Sequence, residues 1–404
     1  MKSSSRIVIA ALAAFSIVAA SCSSDKKAAP TPASTGPVAS AAPTPASASA
    51  TDPKPVATDP AGTTPATDPV TTDVPATEVG VAQDLDTNGD GKILFGVAAA
   101  GPRDDGAYYQ ALVDQTIAIS KANGYADPII VDKITAENAA TELGNLADQG
   151  VDVMLVGASE IAAPLPDLIK KYPNVFWYCN CGAGFKPDPG LAQSSDDSSE
   201  ISYTAGYATG LLLKDKGGDS VAFIGCCDLN FEKEAYMAFE EGLKAVDAKY
   251  TMTYTSTGNF QFDFDNTAGA TEALNAAVAN GVDAVYPYLG GAHEPLVKIA
   301  NEKGLIVMSA GSSKACARTD LKYDIQVKFD GGDYLAANLK GIIDGTFKEG
   351  ETRTFKVGID KEPGAEICKP TPEQTTAMKD LYAKIAAGDF AADFGAIKGK
   401  AYAG

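Results

Sequence analysis

Two carboxylates and two aromatic rings stand close together in residues 103–110, whose sequence is RDDGAYYQ. The carboxylates of Asp104 and Asp105 can accept protons from ligand hydroxyl groups. The rings of Tyr108 and Tyr109 offer flat faces for stacking. The same Asp residues have a structural use, because an Asp at the start of a helix accepts hydrogen bonds from unpaired backbone N–H groups. The segment therefore predicts either a ligand-binding loop or a capped helix start.

The elements around this loop favour a position at a sheet edge. Residues 93–100 form an apolar run that is typical of a buried strand in a parallel sheet. Gly101 and Pro102 indicate a turn, and a helical pattern begins at Ala107. Ligands of open α/β sheets bind beyond the carboxyl ends of the strands, and the loop would lie there.

Helix and strand patterns alternate along the rest of the chain, which predicts an α/β fold with parallel sheets. The sequence Gly-Val-Asp occurs twice, at residues 150–152 and 281–283, each time between a helix and a buried strand. A generic helix–strand junction would look the same, but the repeat suits two lobes of like topology. The only Trp, Trp177, lies in an apolar strand and is predicted to belong to the core.

Residues 1–22 have the features of a signal peptide, with a basic start and a short apolar stretch. The apolar stretch is shorter than the roughly 20 residues of a transmembrane helix. Its end resembles a bacterial lipobox, which predicts lipidation of Cys22; ordinary cleavage with an incidental Cys22 is the alternative. Residues 23–85 are rich in Pro, Ala, Thr and Ser and are predicted to form a disordered spacer. These features predict a lipid-anchored protein on the extracytoplasmic face of the cell membrane.

Composition argues against several classes of function. The formal net charge of −19 is unsuited to nucleic-acid polymers, which need a basic surface. With a single His and neither a Gly-x-Ser-x-Gly motif nor a phosphate-binding loop, the chain is predicted not to be an enzyme. A carboxylate-based hydrolase is the rival, because a pair such as Asp104 and Asp263 needs no His.

Six cysteines besides Cys22 in an exported chain predict one to three disulfides. Cys316 and Cys368 flank one C-terminal stretch and are the pair that we predict. Metal binding by the other four cysteines is the alternative, although no Cys-x-x-Cys spacing occurs.

A second metal hypothesis concerns the segment before the first strand. Asp86, Asn88 and Asp90 match the first ligand positions of a calcium-binding EF-hand loop. The twelfth position, which should be Glu, is Val97. A plain turn is therefore favoured over a calcium site.

Four stretches of the sequence, in order and spacing, resemble the basic membrane protein (BMP, or PnrA-like) family of ABC transporter substrate-binding lipoproteins. They are residues 101–110, 200–206, 221–245 and 280–291. The resemblance covers about residues 92–390. It implies two Rossmann-like lobes of the type I periplasmic-binding-protein fold, joined by a three-segment hinge. The N-terminal lobe would comprise 92–197 plus 312–347, and the C-terminal lobe 198–311 plus 348–404.

The resemblance also implies a function. A monomer without a cofactor would close its lobes over a small polar ligand, a nucleoside or similar sugar-containing metabolite, and deliver it to an ABC permease. A ligand-sensing surface lipoprotein without a transport role is the alternative.

The implied ligand-binding residues come from two loops and one strand. Tyr108 would stack on the ligand, an Asp would accept hydroxyl protons, and Lys328 would donate a hydrogen bond. His293 is either a surface residue at a helix start or a hydrogen-bond donor in the cleft. Tyr109 replaces an Asn of the family, and Ser309–Ser313 lack the family's acidic ligand group. The full predicted set is Asp104, Asp105, Tyr108, Tyr109, Gly290, Gly291, His293 and Lys328.

Overall fold

The computed structural model describes residues 85–182 and 185–403. The predicted signal peptide, Cys22 and all but the last residue of the predicted spacer lie outside these ranges. Among the described residues, no helix combines the length and apolar character needed to cross a bilayer.

Strands and helices alternate in chain order as predicted. The strands are β1 (Phe95–Ala99), β2 (Ile129–Val131), β3 (Val153–Gly157), β4 (Phe176–Asn180), β5 (Ala192–Asp196), β6 (Ser220–Gly225), β7 (Thr251–Ser256), β8 (Ala284–Pro287), β9 (Ile306–Val307), β10 (Ile325–Lys328), β11 (Thr352–Phe355) and β12 (Gly364–Ile367). The helices are α1 (Tyr108–Asn123), α2 (Ala139–Asp148), α3 (Leu165–Lys171), α4 (Ser198–Lys216), α5 (Asn230–Val246), α6 (Thr267–Ala279), α7 (His293–Lys303), α8 (Gly331–Asp344), α9 (Pro372–Ala387) and α10 (Ala391–Ala401).

Two parallel sheets of like topology organise the molecule. The N-terminal lobe has the strand order β11-β5-β4-β3-β1-β2, and the C-terminal lobe has β7-β6-β8-β9. The order β4-β3-β1-β2 corresponds to β9-β8-β6-β7, as the repeated Gly-Val-Asp sequence predicted. A short antiparallel pair, β10 with β12, continues the C-terminal lobe. The two-lobed α/β prediction is confirmed.

The repeated Asp has the same structural task in both lobes. The carboxylate of Asp152 accepts hydrogen bonds from the backbone N–H group of Leu94, directly before β1, and from that of Thr87 in the preceding turn. The carboxylate of Asp283 accepts them from Asp219 and Ser220, at the start of β6. Each Asp therefore ties the start of one central strand to the start of its neighbour.

Apolar side chains fill both faces of both sheets. Strands β1, β3 and β4 are buried along their whole length, which explains their continuous apolar sequences. Trp177 in β4 is fully buried, so its predicted place in the core is confirmed.

The chain crosses between the lobes three times, after Asp196, Phe329 and Phe355. This corrects the lobe boundaries predicted from sequence. Residues 312–329 belong to the C-terminal lobe, because β10 pairs with β12 and its side chains pack in that lobe's core. Residues 348–355 belong to the N-terminal lobe, because β11 pairs with β5.

The cysteines are close together in pairs. Cys316 and Cys368 form a disulfide within the C-terminal lobe, as predicted. The sulfurs of Cys179 and Cys181, and those of Cys226 and Cys227, are also bonded. The described residues contain no group of three or more His, Cys, Asp or Glu side chains placed to hold a metal ion.

The segment that resembles a calcium loop forms a turn before β1. Oxygens of Asp86, Asn88 and Asp90 accept hydrogen bonds from the backbone N–H groups of residues 90–92. These side chains therefore already have partners within the turn, and the plain turn favoured by the sequence is what the structure shows.

Candidate functional site

A cavity lies between the two lobes, beyond the carboxyl ends of β1, β3, β4, β5, β6 and β8. It contains about 970 Å³ of space, part of it open to solvent. Both lobes and two of the crossings contribute to the wall of this interlobe cavity. Its lining residues are Asp105, Tyr108, Tyr109, Ala158, Ser159, Glu160, Asn180, Cys181, Gly182, Asp196, Ser198, Ile201, Ser202, Phe231, Phe264, Tyr288, Leu289, Gly290, Ala310 and Phe329.

Aromatic rings from both lobes form much of the wall. Phe329, at the second crossing, lies 6.3 Å from Tyr108 of the N-terminal lobe and 5.7 Å from Tyr288 of the C-terminal lobe, measured between ring centroids. The rings of Phe231 and Phe264 stack with their centroids 6.4 Å apart. This arrangement can enclose a ligand that has a flat or apolar part.

The predicted stacking residue, Tyr108, lines the cavity and is held in place by a hydrogen-bond network. Its hydroxyl donates to the backbone oxygen of Asn180 at 2.8 Å and accepts from the Nδ2 atom of the same residue at 2.7 Å. The Oδ1 atom of Asn180 accepts from Ser194 at 2.6 Å. The ring orientation is therefore fixed before any ligand binds.

Asp105 lines the cavity, but its carboxylate is used by the helix that follows. Its two oxygens accept hydrogen bonds from the backbone N–H groups of Ala107, Tyr109 and Gln110. Burial raises the pKa of Asp105 to about 6, although these donors pull it down. The helix-capping alternative is thus correct for Asp105.

The other predicted carboxylates lie elsewhere. Asp104 is exposed and outside the cavity lining, so its predicted contact with the ligand does not fit its position. Asp263, its partner in the rival hydrolase hypothesis, is also outside the lining and accepts hydrogen bonds from Asn259.

Tyr109 holds a carboxylate that sequence reasoning missed. Its hydroxyl donates to the Oε1 atom of Glu160 at 3.0 Å. The Oε2 atom of Glu160 is buried and has no hydrogen-bond partner among the described residues. Burial raises the pKa of Glu160. Glu160 lies just after β3, so the rule that ligands bind beyond strand ends could have identified it.

Asp196 is a second carboxylate that sequence reasoning missed, and it lies at the end of β5 where the chain first changes lobe. Its Oδ2 atom accepts a hydrogen bond from the hydroxyl of Tyr334 at 2.9 Å. Burial raises the pKa of Asp196 to about 7, and the neighbouring carboxylates Asp197, Glu234 and Glu200 contribute to the increase.

The two predicted glycines belong to a loop whose N–H groups are already engaged. Gly290 lines the cavity, and its N–H donates to the backbone oxygen of Phe264 at 3.2 Å. The N–H of Gly291 donates to Asp265 at 2.6 Å, and Gly291 is outside the lining. Of the two predicted glycines, only Gly290 is at the cavity, and neither N–H group is free to donate to a ligand.

His293 starts helix α7 but is neither on the surface nor in the cavity lining. It is fully buried, with Nδ1 2.8 Å from the backbone oxygen of Pro287 and Nε2 3.3 Å from the hydroxyl of Tyr323. Burial lowers the pKa of His293 to about 4. Both ring nitrogens have partners within the C-terminal lobe, so neither alternative predicted for His293 fits.

Lys328 is also tied to its own lobe. Its ammonium group donates to the carboxylate of Glu366 on β12 and to the backbone oxygen of Lys361 at 2.9 Å. It is outside the cavity lining. The predicted role as a ligand donor does not fit, because the ammonium group is held by partners within the C-terminal lobe.

Comparison with known proteins identifies the family. Residues 92–358 match the model of the Bmp family, described as ABC transporter substrate-binding protein PnrA-like. The chain belongs to this family. Bmp proteins are extracytoplasmic solute-binding proteins rather than enzymes, which accounts for a cavity between two lobes. None of the curated proteins compared with this chain matches it.

Solved structures show the same fold at low sequence identity. An ABC transporter solute-binding protein from Conexibacter woesei is 20% identical, with a TM-score of 0.57 and coverage of 74% of this chain and 97% of that one. One from Aeropyrum pernix is 14% identical, with a TM-score of 0.61 and coverage of 74% and 92%. A structure described as a transcriptional activator of the comK gene from Bacillus halodurans is 15% identical, with a TM-score of 0.57 and coverage of 72% and 96%.

Proposed function

We propose that this Bmp-family protein is the lipid-anchored, monomeric binding component of an ABC import system. It closes its two lobes over a nucleoside or similar sugar-containing metabolite and presents the closed form to the permease. The observation that carries this proposal is the interlobe cavity, whose aromatic wall comes from both lobes. Three crossings join the lobes and can act as a hinge.

The wall of the cavity suits the two parts of such a ligand. A base can stack on the fixed ring of Tyr108, with Tyr288 and Phe329 nearby. Sugar hydroxyl groups are donors, and Glu160 and Asp196 are lining carboxyl groups that can accept from them. Tyr108, Glu160 and Asp196 belong to the N-terminal lobe and Tyr288 to the C-terminal lobe, so lobe closure would enclose the ligand between these two sets of groups.

Replacing Tyr108 by Ala is expected to weaken ligand binding about 5- to 150-fold, because one stacked base is worth about 1–3 kcal/mol. Thermal shift assays on the parent protein with adenosine, guanosine, uridine, ribose and amino acids would first identify the ligand class. A ligand at 100 times its dissociation constant should stabilise the fold by about 2.7 kcal/mol. Calorimetric titration of the variant with that ligand then measures the loss.

Tyr108→Phe is the matched control. It keeps the ring and removes only the hydroxyl that contacts Asn180, so binding should stay closer to that of the parent than to that of Tyr108→Ala. Equal affinities for the parent and Tyr108→Ala would show that Tyr108 does not contact the ligand.

Replacing Cys22 by Ala is expected to move the protein from the membrane fraction to the soluble extracytoplasmic fraction, because the residue that would carry the lipid is removed. Cell fractionation followed by immunoblotting measures the distribution. Ser24→Ala is the control, since it alters the adjacent spacer and keeps the cysteine. Unchanged membrane association of the Cys22 variant would contradict a lipid anchor at this position.

Sensing remains the second candidate, because a structure described as a transcriptional activator shares the fold. Uptake of a radiolabelled ligand by the host with and without the gene separates the two roles. Loss of uptake supports transport, whereas unchanged uptake with altered gene expression supports sensing.

A further inference from the structure

We infer that the ligand of the interlobe cavity carries a positive charge beside its flat or apolar part, and that Glu160 and Asp196 bind this charge. The inference rests on the solute-binding function proposed above and narrows the chemical class of the solute.

The charged side chains of the lining all have the same sign. They are the acidic residues Asp105, Glu160 and Asp196, and none of the described lining residues is Lys, Arg or His. The His and Lys predicted to face the ligand, His293 and Lys328, are engaged within the C-terminal lobe. An anionic ligand would therefore meet only like charges, whereas a cation would meet opposite ones.

Two of the three acidic groups have an oxygen atom without a hydrogen-bond partner among the described residues. In Asp105, by contrast, both oxygens already accept hydrogen bonds from backbone N–H groups. Glu160 has one oxygen on Tyr109 and a buried second oxygen without a partner among the described residues. Asp196 has one oxygen on Tyr334, and its other oxygen forms no hydrogen bond within the described part of the chain. A ligand cation would supply the missing partner.

Burial without a countercharge is unfavourable for a carboxylate. The effect is visible here, because burial raises the pKa of Glu160 and that of Asp196, the latter to about 7. A cation within hydrogen-bonding range has the opposite effect and lowers the pKa of a carboxyl group. A cationic ligand would therefore offset the unfavourable burial of these two carboxyl groups.

The aromatic wall supports the same assignment. The ring of Phe329 lies 6.3 Å from that of Tyr108 and 5.7 Å from that of Tyr288, measured between centroids. Aromatic faces attract ammonium, guanidinium and other organic cations, most strongly where water is excluded. Rings and carboxylates around one cavity therefore suit a protonated or quaternary nitrogen on a partly apolar molecule.

Matched ligand pairs test the inference with the full chain. The first pair is N1-methyladenosine, which is cationic at neutral pH, and its neutral isomer N6-methyladenosine. The second pair is choline and its uncharged carbon isostere. In calorimetric titrations, the cationic member of at least one pair is expected to bind about tenfold or more tightly than its neutral partner.

Two variants identify the groups responsible. Glu160→Gln keeps the acceptor for Tyr109 and removes the charge, so it should reduce the preference for the cation about tenfold. Asp104→Asn removes an equal charge from an exposed position outside the lining, so the preference should remain.

The outcomes separate the two proposals. The cationic assignment would be overturned if neutral nucleosides bind as tightly as the cations, or if adenosine monophosphate binds at all. Either result would leave the proposed solute-binding function standing. Cations that bind in preference to neutral partners, with the preference lost in Glu160→Gln, would support the cationic assignment even if the ligand is not a nucleoside. Failure of every compound to bind would contradict both proposals.

Discussion

Replacing Gly206 by Ala is expected to lower the free energy of unfolding by about 3 kcal/mol or more, at the upper end of the usual cost of overpacking. Helices α4 and α5 approach each other backbone to backbone at this position. A Cβ atom on Gly206 would overlap with the backbone oxygen of Phe239, and one on Gly242 would overlap with that of Tyr203. Backbone atoms of packed helices cannot move aside as a flexible side chain can.

Urea denaturation of the variant and the parent measures this loss. Gly395→Ala is the matched control, because Gly395 is also helical, in α10, and a Cβ atom there would meet nothing within 4 Å. That substitution should leave stability unchanged or raise it by up to about 1 kcal/mol through helix propensity. Similar midpoints for the two variants would refute the close approach of α4 and α5.

The same two glycines explain part of the resemblance on which the family was predicted. Gly206 ends the stretch 200–206, and Gly242 lies within 221–245. A close helix–helix contact permits only Gly at these positions, so this packing requirement is visible in the sequence as two glycines within the family-like stretches. The fold was predictable for this reason and because strand and helix periodicity are local properties of a chain.

The lobe boundaries were not predictable in the same way. The sequence of strand β11, TRTF, does not indicate whether the strand pairs with β5 or with a strand of the other lobe. Pairing partners far apart in sequence are decided by the folded structure. The chain therefore returns to the N-terminal lobe for β11, after the point at which sequence reasoning had ended that lobe.

A site residue was predictable where its position in the chain, after a strand, is enough to place it in the cavity. It was not predictable where the direction of the side chain decides whether it reaches the cavity. Tyr108 follows a buried strand and lines the cavity. His293 and Lys328 also lie near strand ends, but each has a partner in its own lobe. Glu160 and Asp196 belong to none of the stretches that resemble the family, although each lies at or just after the carboxyl end of a strand.

Removing the Cys316–Cys368 disulfide is expected to lower the free energy of unfolding by about 4 kcal/mol, because the cross-link restricts a long loop of the unfolded chain. The two cysteines are separated by 52 positions in the sequence. The intervening chain leaves the C-terminal lobe, forms α8 and β11 in the N-terminal lobe, and returns. Both ends of this segment are therefore joined by the disulfide in the C-terminal lobe, although the chain between them passes through the N-terminal lobe.

Guanidinium denaturation of Cys316→Ser, Cys368→Ser and the double variant provides the measurement. The two single variants and the double variant should lose similar amounts, since each breaks the same bond, and reductant should shift the parent toward them. Cys226→Ala with Cys227→Ala is the control: these residues are adjacent, so their bond restricts very little of the unfolded chain and its removal should cost less. If the Cys316 and Cys368 variants unfold at the denaturant concentration of the parent, the disulfide does not stabilise the fold.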